Sequence, residues 1–240
     1  LAYRLTHSLT DAMTNVTLEA AKVFEQKKAA PPGGIFEVSN GIDTTLYRPD
    51  KVSGQRLRDV NGIADKDKLI VAVGRLEAAK DYENLINAFA QLSDDFTDTK
   101  LWIVGEGSER QKLTDLVIQL NLSHKITFLG VRSDVANIYN AADLYVLSSA
   151  WEGFGLVVAE AMASERVVVV TDCGGVKEVV GECGYLVPAQ NSLALKNAIT
   201  NALNISHFEA ENMGRLARKR IVDNYSIDKI VGVWLDIYRA

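Results

Sequence analysis

The most constraining feature of this sequence is a series of short, wholly apolar segments, each followed by a stretch with helical spacing. Val167-Val168-Val169-Val170 is the plainest of them. Successive strand side chains point to opposite faces, so a strand that is apolar at every position belongs in a sheet covered on both sides. From residue 69 the pattern reads strand 69–73, helix 82–92, strand 101–104, helix 109–120, strand 126–129 and helix 135–140. It continues with strand 144–147, helix 155–163, strand 167–170, helix 176–180 and a shorter strand 184–187. Helices at 192–204, 208–224 and 227–238 follow. This alternation predicts an α/β fold with a doubly wound parallel sheet. In such sheets ligands bind beyond the carboxyl ends of the strands. Chemistry is therefore expected in the loops after Val73, Val104, Leu129, Leu147 and Val170.

Upstream, Ala12, Val16, Ala20, Val23 and Phe24 predict a helix over residues 10–28, with Thr10 or Asp11 as its cap. Pro31-Pro32-Gly33-Gly34 ends it and marks a domain boundary. A short strand at 35–38 and an Asn40-Gly41 turn follow. The last helix carries Ile230, Val231, Trp234, Leu235 and Tyr238 on one broad face. That face either packs on this domain or docks on something outside it. The chain opens in mid-pattern on Leu1, so a fragment of a longer protein is expected.

Composition narrows the function classes. Hydrophobic residues make up 48% and charged residues 24%, the balance of an ordinary globular protein. Net charge is −5 and no basic run stands out, which argues against nucleic-acid binding. Cys173 and Cys183 are too far apart for a Cys-x-x-Cys motif and read as reduced thiols of a cytoplasmic protein. His7, His124 and His207 show no metal-ligand spacing. No apolar run is long enough to span a bilayer.

After Val73 come Gly74-Arg75-Leu76 and then Lys80. A guanidinium grips phosphate oxygens with a planar fork, and an ammonium adds a compact charge. Two such cations are ordinarily a solvated surface feature, but their place at a strand's carboxyl end points to an anionic ligand. After Leu147 comes Ser148-Ser149-Ala150-Trp151-Glu152-Gly153-Phe154-Gly155-Leu156, which enters a helix. Gly153 and Gly155 permit close backbone approach to a ligand. The free N–H groups at the helix start favour an anion. Glu160 follows Glu152 by eight residues, on the second turn of that helix. The two carboxylates can address opposite ends of a ligand crossing the helix N-terminus, each accepting hydrogen bonds from sugar hydroxyls.

In the loop after Leu129, Ser133 or Asp134 can cap a helix, and the backbone of Val131 and Arg132 lies at the expected crevice. After Val170, Gly174-Gly175 is either a tight loop or a contact to a second small-molecule group. Two patterns are set aside. Gly105-Glu106-Gly107 resembles a dinucleotide fingerprint, but the third small residue is replaced by Arg110. Asp65-Lys66-Asp67 precedes a strand rather than ending one, which marks it as a polar turn.

In order, these motifs resemble the C-terminal domain of the retaining group-one (family four) glycosyltransferases. They are Gly74-Arg75-Leu76 with Lys80, Gly105-Glu106-Gly107, Glu152 through Glu160-Ala161, and Gly174-Gly175 with Glu178. Asn40-Gly41-Ile42-Asp43, with Tyr47 and Pro49, resembles that family's interdomain linker. The resemblance covers residues 10–240 and implies a Rossmann-like domain, the C-terminal half of a GT-B fold. Residues 1–34 would be the tail of the N-terminal, acceptor-binding domain. Residues 35–225 would form the donor-binding domain. Residues 226–240 would pack back on the N-terminal domain.

The resemblance also implies roles. Arg75 and Lys80 would bind the donor diphosphate, Glu160 the ribose hydroxyls, and Glu152 would face the transferred sugar. Catalysis would fall to Arg75, Lys80 and Glu152. Gly74 and the backbone of Gly153, Phe154, Gly155, Leu156 and Val157 would meet sugar and phosphates, with Val131 and Arg132 near the base.

The implied reaction moves a hexosyl group from a nucleoside-diphosphate sugar to an acceptor hydroxyl with retained anomeric configuration. A UDP-sugar is the first expectation, with GDP- and ADP-sugars as alternatives. A glycan or glycolipid acceptor, as in polysaccharide biosynthesis, would bind mainly to the missing half, which could also touch the inner face of a membrane. No cofactor or metal is expected, because Arg75, Lys80 and the helix N-terminus supply the positive charge. The alternatives are an epimerase or phosphorylase on the same fold, or a non-catalytic nucleotide-sugar-binding module. A phosphorylase would need a pyridoxal-binding lysine, and an epimerase would need no acceptor.

Overall fold

The computed structural model describes residues 9–10, 12–92 and 96–239. The chain begins with β1 (Thr14–Asn15), α1 (Leu18–Gln26), β2 (Phe36–Glu37) and α2 (Lys51–Val60). Strand β3 (Lys68–Val73) is followed by a single 3-10 turn at Ala78–Lys80, then α3 (Tyr82–Leu92) and β4 (Thr99–Val104). Next come α4 (Arg110–Gln119), β5 (Ile126–Gly130), α5 (Val135–Ala141), β6 (Leu144–Leu147) and α6 (Leu156–Ala163). The chain closes with β7 (Val167–Asp172), α7 (Val176–Val180), β8 (Tyr185–Pro188), α8 (Ser192–Asn204), α9 (His207–Tyr225) and α10 (Ile227–Arg239).

Strands β3 to β8 form one parallel sheet in the order β5-β4-β3-β6-β7-β8. Alternate strand residues feed opposite layers, as the pleat requires. Ile70, Ala72, Leu101, Ile103, Val167 and Val169 pack with α3, α4 and α8. Leu69, Val71, Trp102 and Val104 face α5 and the segment after α2. Tyr145, Leu147, Val168 and Val170 face α6, α7 and α9. The sheet is thus covered on both sides, as its continuous apolar strands demand. Among the described residues, no helix is long and apolar enough to cross a membrane. Both cysteines are free.

The N-terminal segment departs from the sequence expectation. The predicted helix over residues 10–28 is shortened to α1, because Thr14–Asn15 pairs with Phe36–Glu37 as a small parallel ladder. Thr14, Val16 and Thr17 are β-branched and suit extended backbone. The cap is Thr17, whose hydroxyl accepts from the Ala20 N–H at 3.2 Å. Thr10 therefore does not cap it, and Asp11 lies outside the described residues.

Helix α2 was not expected, for a physical reason. It is anchored by a buried cation more than by an apolar stripe. The Arg58 guanidinium donates to the carbonyls of Ala141, Ala64 and Asp67 and pairs with Asp143 at 3.0 Å. The Asp67 carboxylate closes the 64–67 turn, accepting from the Ala64 N–H at 3.1 Å, so Asp65-Lys66-Asp67 is a polar turn.

The last helix is only partly covered. Ile230 is buried, while Val231, Leu235 and Tyr238 stay exposed. Its start is fixed to the 40–49 segment, since the Ile227 N–H donates to the Ile42 carbonyl and the Ile42 N–H to that of Tyr225.

Phe89 is fully buried on α3 in the largest cluster. Phe89→Ala is expected to lower unfolding free energy by about 3–5 kcal/mol, whereas exposed Val60→Ala changes it by less than about 0.5 kcal/mol. Denaturant titration checks both, and equal losses would contradict this packing.

Candidate functional site

The chain builds β4 and β5 on one side of β3, then returns to lay β6 against its other edge. The carboxyl ends of β3 and β6 therefore flank the topological switch point, where doubly wound sheets bind ligands. The loop after β3 leads into the Ala78–Lys80 turn, and the loop after β6 leads into α6. Two hydrogen bonds tie them together. The Ala150 N–H donates to the Ala79 carbonyl at 2.9 Å, and the Ser148 hydroxyl to the Lys80 carbonyl at 2.9 Å.

This lacing sets Lys80 against Glu152. The Lys80 ammonium donates to Glu152 Oε1 in a close ion pair, with side chains only 19% and 11% exposed. The Ser149 hydroxyl donates to the same oxygen at 2.9 Å. Both donors converge on Oε1. An ammonium has three N–H groups, so Lys80 keeps two for other acceptors. The Lys80 stem lies beside Gly74, where a Cβ would stand 3.5 Å from Cε.

The neighbouring loops hold this pair in place. A Cβ at Gly105 would lie 2.0 Å from the Gly74 carbonyl oxygen. Gly105-Glu106-Gly107 thus lets the loop after β4 pack tightly against the loop after β3, and the Leu76 N–H donates to the Glu106 carbonyl. After β7, a Cβ at Gly174 would lie 1.7 Å from the Glu152 carbonyl oxygen. The Thr171 hydroxyl donates to the Ser149 carbonyl at 2.6 Å, and the Gly175 N–H to that of Gly153 at 3.2 Å. The Gly174-Gly175 turn therefore packs tightly against the Glu152 loop. Just beyond it, Glu178 accepts from the Leu18 and Glu19 N–H groups at 3.1 and 3.0 Å, which fastens the start of α1 to this loop.

The other expected side chains do not bond to the Lys80–Glu152 pair. Arg75 is 76% exposed and pairs locally with Glu77 at 3.1 Å. Arg132 is gripped by Asp134 through two bonds of 2.7 Å. Asp134 occupies the N-cap position of α5, but that grip takes its carboxylate, so the expected side-chain cap is absent. Ser133 does not take that position either. Val131 is exposed. Phe154 is buried and packs edge-on against Tyr225, 5.4 Å between ring centroids, so its side chain anchors the loop from below.

Gly153 has open space where a Cβ would be. Gly155 is the N-cap residue of α6, and the first intrahelical bond is made by the Val158 N–H. The N–H groups of Leu156 and Val157 thus belong to the unsatisfied first turn. Glu160 is half-buried and accepts from the Tyr139 hydroxyl at 2.9 Å. Burial pushes its carboxyl above the usual range, against the opposing influence of the Tyr139 and Tyr47 phenols.

Sequence reasoning missed Ser149 and Tyr139. Ser149 was signalled by its Ser-x-x-Glu spacing to Glu152. Tyr139 carried no signal, because an aromatic on a helix reads as core. A cavity of about 560 Å³ lies elsewhere, between the N-terminal segment and α10, lined by Met13, Phe24, Val38 and Trp234 among others. None of the expected donor-binding residues lines it.

Residues 54–220 match the sequence profile described as "Glycosyl transferases group 1". The chain belongs to this glycosyltransferase family. Among its relatives, an N-acetyl-alpha-D-glucosaminyl L-malate synthase of Bacillus anthracis is 30% identical over 210 residues, covering 87% of this chain and 54% of that protein. An uncharacterized glycosyltransferase of Methanocaldococcus jannaschii is 35% identical over 218 residues, covering 87% and 55%. The chain thus spans about half the length of these curated relatives.

The C-terminal domain of a group 1 glycosyl transferase from Francisella tularensis superposes with a TM-score of 0.69 at 27% identity, over 78% of this chain and 100% of that one. Anabaena HepE, solved with UDP and glucose, gives a TM-score of 0.90 at 23% identity, over 100% of this chain and 66% of that one. The fold is the Rossmann-like C-terminal half of the GT-B architecture.

A nearly buried ion pair resists loss of one partner more than loss of both. Lys80→Met should cost on the order of 2 kcal/mol of stability, and Lys80→Met with Glu152→Gln should recover much of it. A double-mutant cycle in denaturant checks the coupling. Strict additivity would contradict the pair.

Proposed function

We propose that this chain is the donor-binding half of a retaining glycosyltransferase, which moves a sugar from a nucleoside diphosphate to an acceptor hydroxyl. One observation carries the reading. Lys80 and Glu152, from loops far apart in sequence, meet at the switch point just before the N-terminus of α6. A fixed cation, a fixed carboxylate and unsatisfied backbone N–H groups side by side suit a ligand with an anionic end and a hydroxyl-rich end.

In this reading, the two remaining N–H groups of Lys80, the exposed Arg75 guanidinium and the first turn of α6 hold the diphosphate. Charge develops there as the glycosidic bond breaks, and preorganised donors stabilise it without reorganisation. Glu152 accepts sugar hydroxyls through Oε2 and orients the anomeric carbon; it is not a covalent nucleophile. The departing diphosphate oxygen helps to deprotonate the acceptor on the same face of the sugar, which retains configuration. Glu160 reads the ribose, and the backbone of Val131 and Arg132 borders the base. UDP is the favoured nucleotide, and the HepE complex with UDP and glucose supports that choice.

The N-terminal segment and α10 form the junction to an acceptor-binding half. Two observations support this. Val231, Leu235 and Tyr238 leave an apolar face exposed, and Glu178 fastens the start of α1 beside the site. The acceptor, a glycan or glycolipid, is bound mainly by that other half, which also makes any membrane contact.

Calorimetric titration with UDP, GDP and ADP, with magnesium and with chelator, tests the donor site. One diphosphate is expected to bind in both conditions, and Arg75→Ala to weaken it about tenfold. In the full-length enzyme, Arg75→Ala is expected to cut turnover by about a hundredfold or more without lowering the unfolding midpoint. Unchanged affinity and near-normal turnover in this variant would contradict the diphosphate role.

A further inference from the structure

Glu160 has unusual neighbours for a residue expected to read a ligand. Its carboxylate accepts from the Tyr139 hydroxyl at 2.9 Å, and the Tyr47 phenol stands beside it. Tyr139 comes from α5, while Tyr47 comes from the 40–49 linker. A half-buried carboxylate must find donors, or burial favours its neutral form. Tyr139 supplies one directly, and Tyr47 packs edge-on against that phenol. A carboxylate offers about four acceptor sites, so enough remain for both hydroxyls of a vicinal diol.

The phenols are themselves fixed. Tyr47 meets Tyr139 edge-on with ring centroids 6.0 Å apart, and Tyr139 meets Tyr145 the same way at 5.7 Å. Tyr139 and Tyr145 are fully buried. The burial of Tyr47, together with the charge of Glu160, pushes its own phenol up to about 12, so it stays a donor at neutral pH.

The backbone of the linker is held as firmly. The Asp43 carboxylate accepts from the Thr45 N–H and hydroxyl and from the Leu46 N–H, within 3.0 Å. Arg218 of α9 donates to the carbonyls of Thr44 at 3.1 Å and Tyr47 at 2.9 Å. The same guanidinium also donates to the Ala163 carbonyl, on the last residue of α6. One arginine thus joins the linker to the helix that carries Glu160.

We propose that Tyr47 and Tyr139 are positioning residues of the nucleotide site, holding the Glu160 carboxylate oriented so that its free acceptor positions receive the 2′- and 3′-hydroxyls of the ribose. The inference rests on the reading of Glu160 as the ribose contact. It adds that a linker side chain helps set selectivity for ribo- over deoxyribonucleotides. Tyr139 bonds to Glu160 and Tyr47 packs on Tyr139, so both act through the carboxylate rather than on the sugar. Their removal should therefore loosen discrimination more than it weakens nucleotide binding as a whole.

The test compares UDP with 2′-deoxy-UDP by calorimetry on the full chain, with GDP and ADP and their 2′-deoxy forms in parallel. Wild type should prefer the ribonucleotide by about tenfold, and Glu160→Gln should abolish the preference. Tyr139→Phe and Tyr47→Phe should each reduce it several-fold, while affinity for the deoxy form stays near wild type. Thermal unfolding of each variant identifies any that fails to fold, and half-exposed Tyr47 provides the second variant should buried Tyr139 do so.

If both folded phenylalanine variants keep full discrimination while Glu160→Gln loses it, the positioning role is overturned and the ribose reading stands. If Glu160→Gln keeps discrimination, or if no nucleoside diphosphate binds, the ribose reading fails and takes this inference with it.

Discussion

Two opposite charges, those of Lys80 and Glu152, lie mostly out of water at the carboxyl ends of two adjacent strands. Such a pair is tolerable only where both partners stay paired and further hydrogen bonds complete them. The surrounding structure meets that condition through three loops. The loop after β3 carries Lys80, the loop after β6 carries Glu152 and Ser149, and the loop after β7 closes on the Glu152 backbone at Gly174. Because the strands are adjacent only through the crossover at the switch point, the pair depends on the sheet topology. The covered, wholly apolar strands are what fix that topology.

Two carboxylates eight residues apart end up in different surroundings. Glu152 is paired with an ammonium and takes both of its side-chain donors on one oxygen. Glu160 accepts from the buried Tyr139 phenol and has no ion-pair partner among the described residues. The first arrangement suits a ligand whose charge changes during reaction, since Lys80 can share its donors with a phosphate. The second suits neutral hydroxyls. The start of α6 lies between them, with its unsatisfied N–H groups.

Much of this was legible in the sequence because it depends on periodicity and strand ends. All six strands of the main sheet lie where apolar runs placed them, and Lys80 and Glu152 both sit at strand ends. What was not legible depends on polar tertiary contacts. Helix α2 is secured by Arg58 reaching backbone carbonyls of other elements, which leaves no apolar stripe to read. The β1–β2 ladder shortens α1, because local extended propensity at Thr14, Val16 and Thr17 outweighs an apolar spacing compatible with a helix. Tyr139 looked like any buried aromatic, and only its hydroxyl contact to Glu160 distinguishes it. Arg75 shows the reverse case: the motif grouped it with Lys80, yet in the free chain it faces solvent beside Glu77.

The account rests on a diphosphate binding where the loops after β3 and β6 meet the start of α6. Backbone amide chemical shifts followed during UDP titration of the isotope-labelled chain examine that place directly. The account predicts that the largest changes fall on Gly74, Arg75 and the stretch from Gly153 to Val157, with smaller ones at Val131 and Arg132. Changes centred instead on the cavity beside Trp234, or spread evenly over the surface, would contradict it.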